Sequence, residues 1–191
     1  YIRNSLDDKD IIFQSDDGSG GVATYFFLDG SGASGGSDFQ TIFPDSSWLY
    51  FGTGQDLYFG HDGSNSYITT DGTGDFYIRN ATNDKDLIFQ NDDGSGGLTT
   101  YFFLDGSQAD GTYTYTLFPD NSNLVFGTGG DFTLSHSGTV SDITNWNGNL
   151  RIYQKADDKD IIFYCDDGSG GDTAYLTLDG GFAGPYVALE D

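Results

Sequence analysis

The strongest constraint on this chain is that its sequence repeats with a period of about 75 residues. Phe43-Pro44-Asp45 returns 75 residues later as Phe118-Pro119-Asp120. A second string occurs three times and begins near Lys9, Lys85 and Lys159. It consists of Asp-Lys-Asp, an apolar run and then Asp-Asp-Gly-Ser-Gly-Gly. Tandem copies of this kind favour an array in which each unit packs on its neighbours. The sequence predicts a partial β repeat at 1–42, a full repeat at 43–117 and a nearly full repeat at 118–191.

Within a repeat, short aromatic and β-branched runs alternate with clusters of Gly, Asp, Asn and Ser. Trp48-Leu49-Tyr50-Phe51, for example, ends at Gly52-Thr53-Gly54. This pattern is typical of short strands and tight turns, and helix signals are nearly absent. We therefore expect an all-β fold with about six or seven antiparallel strands per full repeat, arranged as a β-meander. One of these strands is predicted at 76–79.

The predicted strands are apolar on both faces. Ile11-Ile12-Phe13 and Tyr25-Phe26-Phe27-Leu28 place apolar side chains on alternate sides of the strand. A short meander with two apolar faces needs a packing partner to offset its ordering entropy. The next repeat or another chain could be this packing partner. A homotrimer around a common axis would provide both kinds of packing and would also cover the strand edges. We expect an elongated shaft, most simply trimeric.

Charge excludes some partners. Seven Lys and Arg against 30 Asp and Glu give a net charge of −23, which repels nucleic acid and anionic membranes. The sequence has no apolar run long enough for a membrane helix. Aromatic residues make up 16% of the chain, which argues against a disordered acidic tail. Cys165 is the single cysteine, so a disulfide framework is not expected. The chain begins inside a repeat, and we expect it to be a piece of a longer protein.

The acidic turns are the candidate metal ligands. Closely spaced carboxylates and turn carbonyls are oxygen ligands that suit Ca²⁺, but the spacing matches no EF-hand and lacks its closing Glu. A solvated turn and diffuse screening by cations are the simpler interpretations. No cofactor is required by the pattern. The candidate Ca²⁺ ligands are Asp16, Asp17, Asp92, Asp93, Asp166 and Asp167.

Exposed aromatic residues are candidate glycan contacts, because their rings stack on sugar faces. The candidates are Trp48, Tyr50, Tyr58 and Trp146. Most aromatic residues are needed for burial, and the loops at 30–42 and 106–117, which differ between copies, are the more natural place for a glycan site.

No catalytic residues are predicted. The sequence has no nucleophile elbow, Cys-His pairing, phosphate loop or zinc signature. His61 and His136 occupy the same position in successive repeats, and repetition favours local packing or hydrogen bonding over acid–base chemistry. We expect a protein that is not an enzyme.

Several strings, taken together, resemble a known family. They are Phe-Pro-Asp-(Asn/Ser)-Ser followed by Phe-Gly-Thr-Gly, the segments 56–68 and 74–80, and Asp-Lys-Asp-Ile-Ile-Phe-Gln. They resemble the tandem repeats of tail-fibre-like structural proteins of marine tailed phages, especially cyanophages, over essentially the whole chain. The resemblance implies a β-rich and commonly trimeric virion fibre. The last repeat departs from the pattern, since His136-Ser137-Gly138 replaces His61-Asp62-Gly63.

Three functions remain open at this point. The first is a structural segment of a viral tail fibre or similar extracellular filament that presents a host-attachment tip. The second is a glycan-binding or adhesive module, and the third is a filament subunit that assembles with copies of itself. The expected partners are other copies of the chain and a host-surface glycan, and the expected location is the virion or the extracellular space.

Overall fold

The computed structural model describes residues 1–32, 38–182, 184 and 187–189. Within these residues the chain forms fifteen β-strands and no helix, so the all-β prediction is confirmed. The strands are β1 (Ile11–Asp16), β2 (Val22–Asp29), β3 (Gln40–Ile42), β4 (Leu49–Phe51), β5 (Leu57–His61), β6 (Ser66–Thr70), β7 (Leu87–Asp92), β8 (Leu98–Asp105), β9 (Tyr115–Leu117), β10 (Leu124–Phe126), β11 (Phe132–His136), β12 (Ser141–Asn145), β13 (Ile161–Asp166), β14 (Asp172–Leu178) and β15 (Val187–Leu189).

The strands form small antiparallel sheets of three consecutive strands each. Three of them, which we call the long sheets, are β1–β3, β7–β9 and β13–β15, and each is built on a hairpin of six- to eight-residue strands. Two others, which we call the short sheets, are β4–β6 and β10–β12. The segment 43–117 therefore contains six strands, but they belong to two separate sheets.

The long sheets share one register and one irregularity. Phe13 pairs with Phe26, and a β-bulge follows Phe13; the same shift follows Phe89 and Phe163. The paired rings stack with centroids 4.4 Å apart at Phe13–Phe26 and 4.5 Å apart at Phe89–Phe102. Offset aromatic stacking of this kind adds to the stability of a cross-strand pair.

Each long sheet is tied at its open end by the second aspartate of the Asp-Lys-Asp string. Asp10 Oδ1 accepts a hydrogen bond of 3.0 Å from the backbone N–H of Gly30, and Asp86 and Asp160 bind Gly106 and Gly180 in the same way. A Cβ at Gly30 would overlap the backbone carbonyl of Lys9, so the chain needs glycine there.

The lysines of the Asp-Lys-Asp string contribute through longer-range charge attraction and not through a close ion pair. Within residues 1–32 and 38–182, no carboxylate lies within 4.0 Å of Lys9, Lys85 or Lys159. Each is flanked in sequence by aspartates, so it lowers their mutual repulsion through longer-range attraction.

The predicted strand at 76–79 is wrong. Residues 75–80 have no regular secondary structure, and the side chains of Phe76, Tyr77 and Ile78 are 46%, 72% and 56% exposed. A strand exists only where a second strand pairs with it. This segment has the composition of a strand, but no strand in the described part of the chain pairs with it.

Backbone contacts divide the chain into two units, Tyr1–Arg79 and Asn80–Asp191. The first holds β1–β6 and the second holds β7–β15. Within each unit, no described strand approaches a strand of another sheet to 8 Å between Cα atoms. The sheets in a unit are joined through turns: the Ser47 hydroxyl donates to the Tyr25 carbonyl, and the Ser122 hydroxyl donates to the Tyr101 carbonyl. The repeat boundaries at 42/43 and 117/118 stay a prediction.

A hydrophobic core is missing from the described part of the chain. No hydrophobic side chain there is buried, and Asp105, 8% exposed, is the one buried polar residue. The chain exposes 15404 Å² of surface, whereas two separate globular bodies of the units' sizes would expose roughly 10,700 Å² in total. The strands and turns are thus formed locally, while most of the apolar surface that normally stabilises a fold remains open.

Candidate functional site

The short sheets β4–β6 and β10–β12 have two chemically different faces. Residues that pair directly across antiparallel strands lie on the same face, so the register separates the two sets. On one face, Leu49 pairs with Phe59, which pairs with Ile68. On the other, Tyr50 pairs with Tyr58, which pairs with Thr69.

The first face is nearly the same in both short sheets, and we call it the constant face. It is apolar in its middle and carries a His-Ser pair at one end. Exposure is substantial, with Phe51 48%, Phe126 50%, Ile68 60% and Ile143 67% exposed. Its apolar residues are Leu49, Phe51, Leu57, Phe59 and Ile68 in β4–β6, and Leu124, Phe126, Phe132, Leu134 and Ile143 in β10–β12.

The opposite face differs between the sheets, and we call it the variable face. In β4–β6 it is aromatic, whereas in β10–β12 it is mostly small and polar. The differing positions, including the residue just before each sheet, are Trp48, Tyr50, Tyr58, Gly60 and Tyr67 against Asn123, Val125, Thr133, Ser135 and Asp142.

Three of the four predicted glycan contacts are brought together on this variable face. The rings of Trp48 and Tyr58 are 5.4 Å apart between centroids in an edge arrangement, and those of Tyr50 and Tyr58 are 5.1 Å apart. Tyr67, which the sequence reasoning missed, joins the cluster 5.8 Å from Trp48. The pairing of Gly60 with Tyr67 places position 67 on the Trp48 face, and alternation within a strand does not show this without the register between the strands.

The fourth predicted contact, Trp146, lies in the other unit and does not belong to this cluster. It follows β12, its side chain is 77% exposed, and its backbone N–H donates to the Asp131 carbonyl over 2.7 Å. Of the two variable loops, residues 33–37 in the loop 30–42 lie outside the described residues. The loop 106–117 is organised by Asp105 and Asp110, which accept hydrogen bonds from following N–H groups.

The predicted Ca²⁺ ligands are largely engaged inside their own turns. Asp17 Oδ1 accepts hydrogen bonds from the Ser19 N–H at 2.8 Å, the Ser19 hydroxyl at 2.8 Å and the Gly21 N–H at 2.9 Å. Asp93 and Asp167 repeat this arrangement. Asp16, Asp92 and Asp166 accept from the glycine two residues later.

No further ligands are gathered around these turns. The described part of the chain contains no group of three or more His, Cys, Asp or Glu side chains placed to hold one metal ion. Each turn therefore offers the second oxygen of one aspartate and a neighbouring carboxylate. Ca²⁺ binding at Asp16, Asp17 and their counterparts stays a prediction.

Hydrogen bonding lowers the pKa of the turn aspartates. The N–H and hydroxyl of Ser19 and the N–H of Gly21 favour the charged form of Asp17 and lower its pKa. The effect is strongest at Asp62, where the N–H groups of Asn65 and Ser64 and the Tyr67 hydroxyl lower the pKa to about 2. The carboxylates of these turns are therefore structural acceptors that remain ionised. Asp29, Asp93, Asp105, Asp110 and Asp167 show the same direction of pKa shift.

The repeated histidines act locally. His61 Nδ1 lies 3.1 Å from Ser66 Oγ, and His136 Nδ1 lies 2.9 Å from Ser141 Oγ. His136 Nε2 is 3.9 Å from Asp120, too far for a hydrogen bond. The carbonyl of His136 accepts a bond of 2.8 Å from the Asn121 N–H, which ties the Phe-Pro-Asp turn to β11. These Ser, His and Asp residues are therefore exposed, and they lie where backbone hydrogen bonding joins a strand to a turn.

Clefts on the described residues include the following two. One, of about 450 Å³, lies between β8 and the turn after Pro119 and is lined by Asp93, Tyr101, Asp120 and their neighbours. The other, of about 250 Å³, lies beside Arg3, Lys9 and Asp29. Both are open to solvent.

Searches for similar proteins were negative. The chain matches no protein-family model, no curated protein and no solved structure. Among the described residues, no helix is long and apolar enough to cross a membrane. The arrangement of the site must therefore be interpreted from its own chemistry.

Proposed function

We propose that this chain is a non-catalytic structural segment of a viral tail fibre or fibre-like extracellular filament, which extends the fibre and presents a host-attachment tip. In this proposal several copies of the chain pack together, most simply as a homotrimer. The resemblance of its repeated strings to phage tail-fibre proteins supports the viral setting. The virion or the extracellular space follows as the location.

The observation that carries the proposal is the absence of a core in a chain that is rich in aromatic residues. With 16 Phe and 13 Tyr and no buried hydrophobic side chain among the described residues, the apolar surface needs a cover from outside the chain. Burial contributes about 25 cal/mol per Å² of apolar surface. Without that contribution, the ordering entropy of the strands is not offset.

The chemistry of the turns also favours a structural function. Their carboxylates accept hydrogen bonds within the turn, and the repeated histidines bind neighbouring serines. Residues used this way build the same local structure in each repeat. A catalytic site needs one set of groups directed at a substrate.

Solution mass and shape test this proposal. Light scattering coupled to size exclusion, followed by small-angle X-ray scattering, should give three times the chain mass of 20.6 kDa and an elongated particle. A stable monomer that unfolds cooperatively would overturn it. Open-ended growth with concentration would favour the self-assembling filament over the closed trimer.

A second candidate function is glycan binding on the variable face of β4–β6. The specific observation is the cluster of Trp48, Tyr50, Tyr58 and Tyr67, which β10–β12 replaces with smaller residues. The sheet architecture therefore does not require these rings. Flat aromatic surfaces with hydroxyl groups at their edges suit the polar rims and apolar faces of sugar rings.

Tryptophan fluorescence tests this candidate, because the chain has two tryptophans. In Trp146→Phe the signal comes from Trp48 alone, and in Trp48→Phe from Trp146 alone. Saturable quenching or enhancement of Trp48 by neutral oligosaccharides, lost in Tyr50→Ala, would support binding. A signal from Trp48 that is unchanged by a panel of neutral and acidic hexasaccharides would remove this candidate.

A further inference from the structure

We infer that the constant face of the short sheets is the surface through which chains associate, and that its partner is a second copy of this chain. This inference rests on the proposed function, because it names the part of the surface that makes the self-association. It also assigns the variable face to the outside of the assembly.

Comparison of the two short sheets separates the faces. Leu49, Phe51 and Ile68 return as Leu124, Phe126 and Ile143, while Leu57 and Phe59 exchange types as Phe132 and Leu134. On the variable face, the four aromatic residues of one sheet are replaced by Asn, Val, Thr and Asp in the other. A face that tolerates Asp142 and Asn123 is suited to solvent, whereas a face that stays apolar in both sheets is suited to burial.

The constant face is also where chains of high negative charge can meet. None of its residues in β4–β6 or β10–β12 is acidic. The single aspartate in these six strands, Asp142, lies on the variable face. Contact through the constant face therefore desolvates no carboxylate in these strands, although the chain carries a charge of −23.

The area available fits an obligate assembly. The chain exposes roughly 4,700 Å² more than two globular bodies of the units' sizes would. Obligate interfaces bury roughly 2,000–5,000 Å² in total, or about half of that per partner. The excess per chain is large enough for a chain to bury surface against two neighbours.

Repetition within the chain points to a copy of itself as the partner. The constant face occurs twice, with corresponding residues 75 positions apart, as at Ile68 and Ile143. A partner that covers either occurrence needs a matching apolar surface. A second copy of the chain has one, and symmetric packing of identical chains uses the same surface on each.

The exposure of neighbouring residues supplies a sharp test. Ile68 is 60% exposed and Ile143 is 67% exposed on the constant face. The next residues, Thr69 and Thr144, lie on the variable face and are half-buried. From the geometry of one folded chain alone, a cysteine at 68 or 143 would therefore react faster with a maleimide than a cysteine at 69 or 144. Association through the constant face reverses this order.

The experiment uses the whole chain with Cys165→Ser, which removes the native thiol. Ile68→Cys and Ile143→Cys are compared with the matched controls Thr69→Cys and Thr144→Cys, and alkylation rates are measured in the oligomer and, as the reference for an unprotected thiol, in the urea-unfolded chain. We expect cysteines at 68 and 143 in the oligomer to label at least about tenfold more slowly than cysteines at 69 and 144.

The outcomes separate this inference from the proposed function. A chain that stays monomeric at all concentrations would overturn both. An oligomer in which positions 68 and 143 label as fast as positions 69 and 144, or faster, would overturn the constant face as the interface and leave the fibre proposal standing.

A second pair of variants measures association directly. Phe59→Asp with Leu134→Asp places charge on the constant face, and Tyr58→Asp with Thr133→Asp places the same charge one residue away on the variable face. We expect the first pair to abolish the oligomer and the second to leave its mass unchanged. Equal loss of the oligomer in both pairs, with β-sheet circular dichroism retained, would contradict the inference.

Discussion

Trp48 covers Gly60 so closely that a Cβ at position 60 would overlap the six-membered part of the indole ring. The two residues lie opposite each other on the variable face of β4–β6. At the corresponding positions 75 residues later, the chain has Asn123 and Ser135. A large residue with glycine in one sheet is thus matched by two small polar residues in the other.

This relationship predicts coupled effects of mutation. Gly60→Ser should destabilise the protein by about 1–3 kcal/mol, because the indole ring must move out of a packed position. The same change in a Trp48→Asn background, which reproduces Asn123 and Ser135, should cost at least about 1 kcal/mol less. A double-mutant cycle from urea unfolding measures the difference. Additive effects would mean that the ring moves aside freely.

Two serine hydroxyls are predicted to stabilise the junctions between sheets. Ser47 and Ser122 donate to the carbonyls of Tyr25 and Tyr101, so each bond joins a long sheet to the turn that precedes the next short sheet. Ser47→Ala and Ser122→Ala should each lower the free energy of unfolding by about 1 kcal/mol. Ser64→Ala is the matched control, because the hydrogen bond from Ser64 to Asp62 Oδ1 is made by the backbone N–H and survives the change. Equal stabilities for all three variants would contradict this role.

Acid should destabilise the turns. The pKa of Asp62 falls from the ordinary value of 3.8 to about 2 in the folded chain, so the folded state binds its proton less readily than the unfolded state. The resulting stabilisation is fully present above pH 4 and is lost as the pH falls from about 4 to about 2. Lowered pKa values at Asp17, Asp93 and Asp167 act in the same direction.

The measurement is thermal unfolding between pH 6 and pH 2 at constant ionic strength. Asp62→Ser introduces the residue found at the corresponding position, Ser137, and should reduce the loss of stability below pH 4. Because protonation also lowers the repulsion between chains, wild type and variant are compared at one protein concentration. Parallel pH curves would show that the Asp62 turn does not contribute.

Salt should strengthen association between chains. With a charge of −23 per chain, repulsion opposes assembly, and screening increases as the Debye length falls from about 10 Å at 0.1 M to about 3 Å at 1 M salt. We expect the dissociation constant to fall with added NaCl, and sedimentation velocity measures this. An association weakened by salt would indicate that ion pairs hold the chains together.

Calcium should act mainly as a screening ion. The Oδ1 atoms of Asp17, Asp93 and Asp167 are engaged with groups of their own turns, so Ca²⁺ and Mg²⁺ at equal concentration should raise the melting temperature equally. A rise specific to Ca²⁺ that disappears in the triple variant Asp17→Asn, Asp93→Asn, Asp167→Asn would instead establish the predicted metal site. Isothermal titration with CaCl₂ provides the independent measurement.

The sequence predicted features that depend on neighbouring residues. Aspartate and glycine at the turns, with aromatic and β-branched residues between them, specify strands such as β5 and β6 and the hairpin that joins them, because turn chemistry and strand propensity act over a few positions. Trp48, Tyr50 and Tyr58 could be selected as candidate glycan contacts on the same basis, but the sequence did not show that Trp48 and Tyr58 are half-buried. The strand predicted at 76–79 fails because a strand also needs a partner, and composition does not supply one.

Only the tertiary structure decided how the strands divide into sheets and which residues share a face. A one-residue difference in register moves a side chain to the opposite face, so the separation of Phe59 from Tyr58, and the place of Tyr67 beside Trp48, depended on the actual pairing. The absence of a core among the described residues could also not be predicted from the sequence. The sequence cannot distinguish whether an apolar side chain such as Ile68 is buried by its own chain or by another. The hydrophobic effect does not depend on which chain covers the side chain.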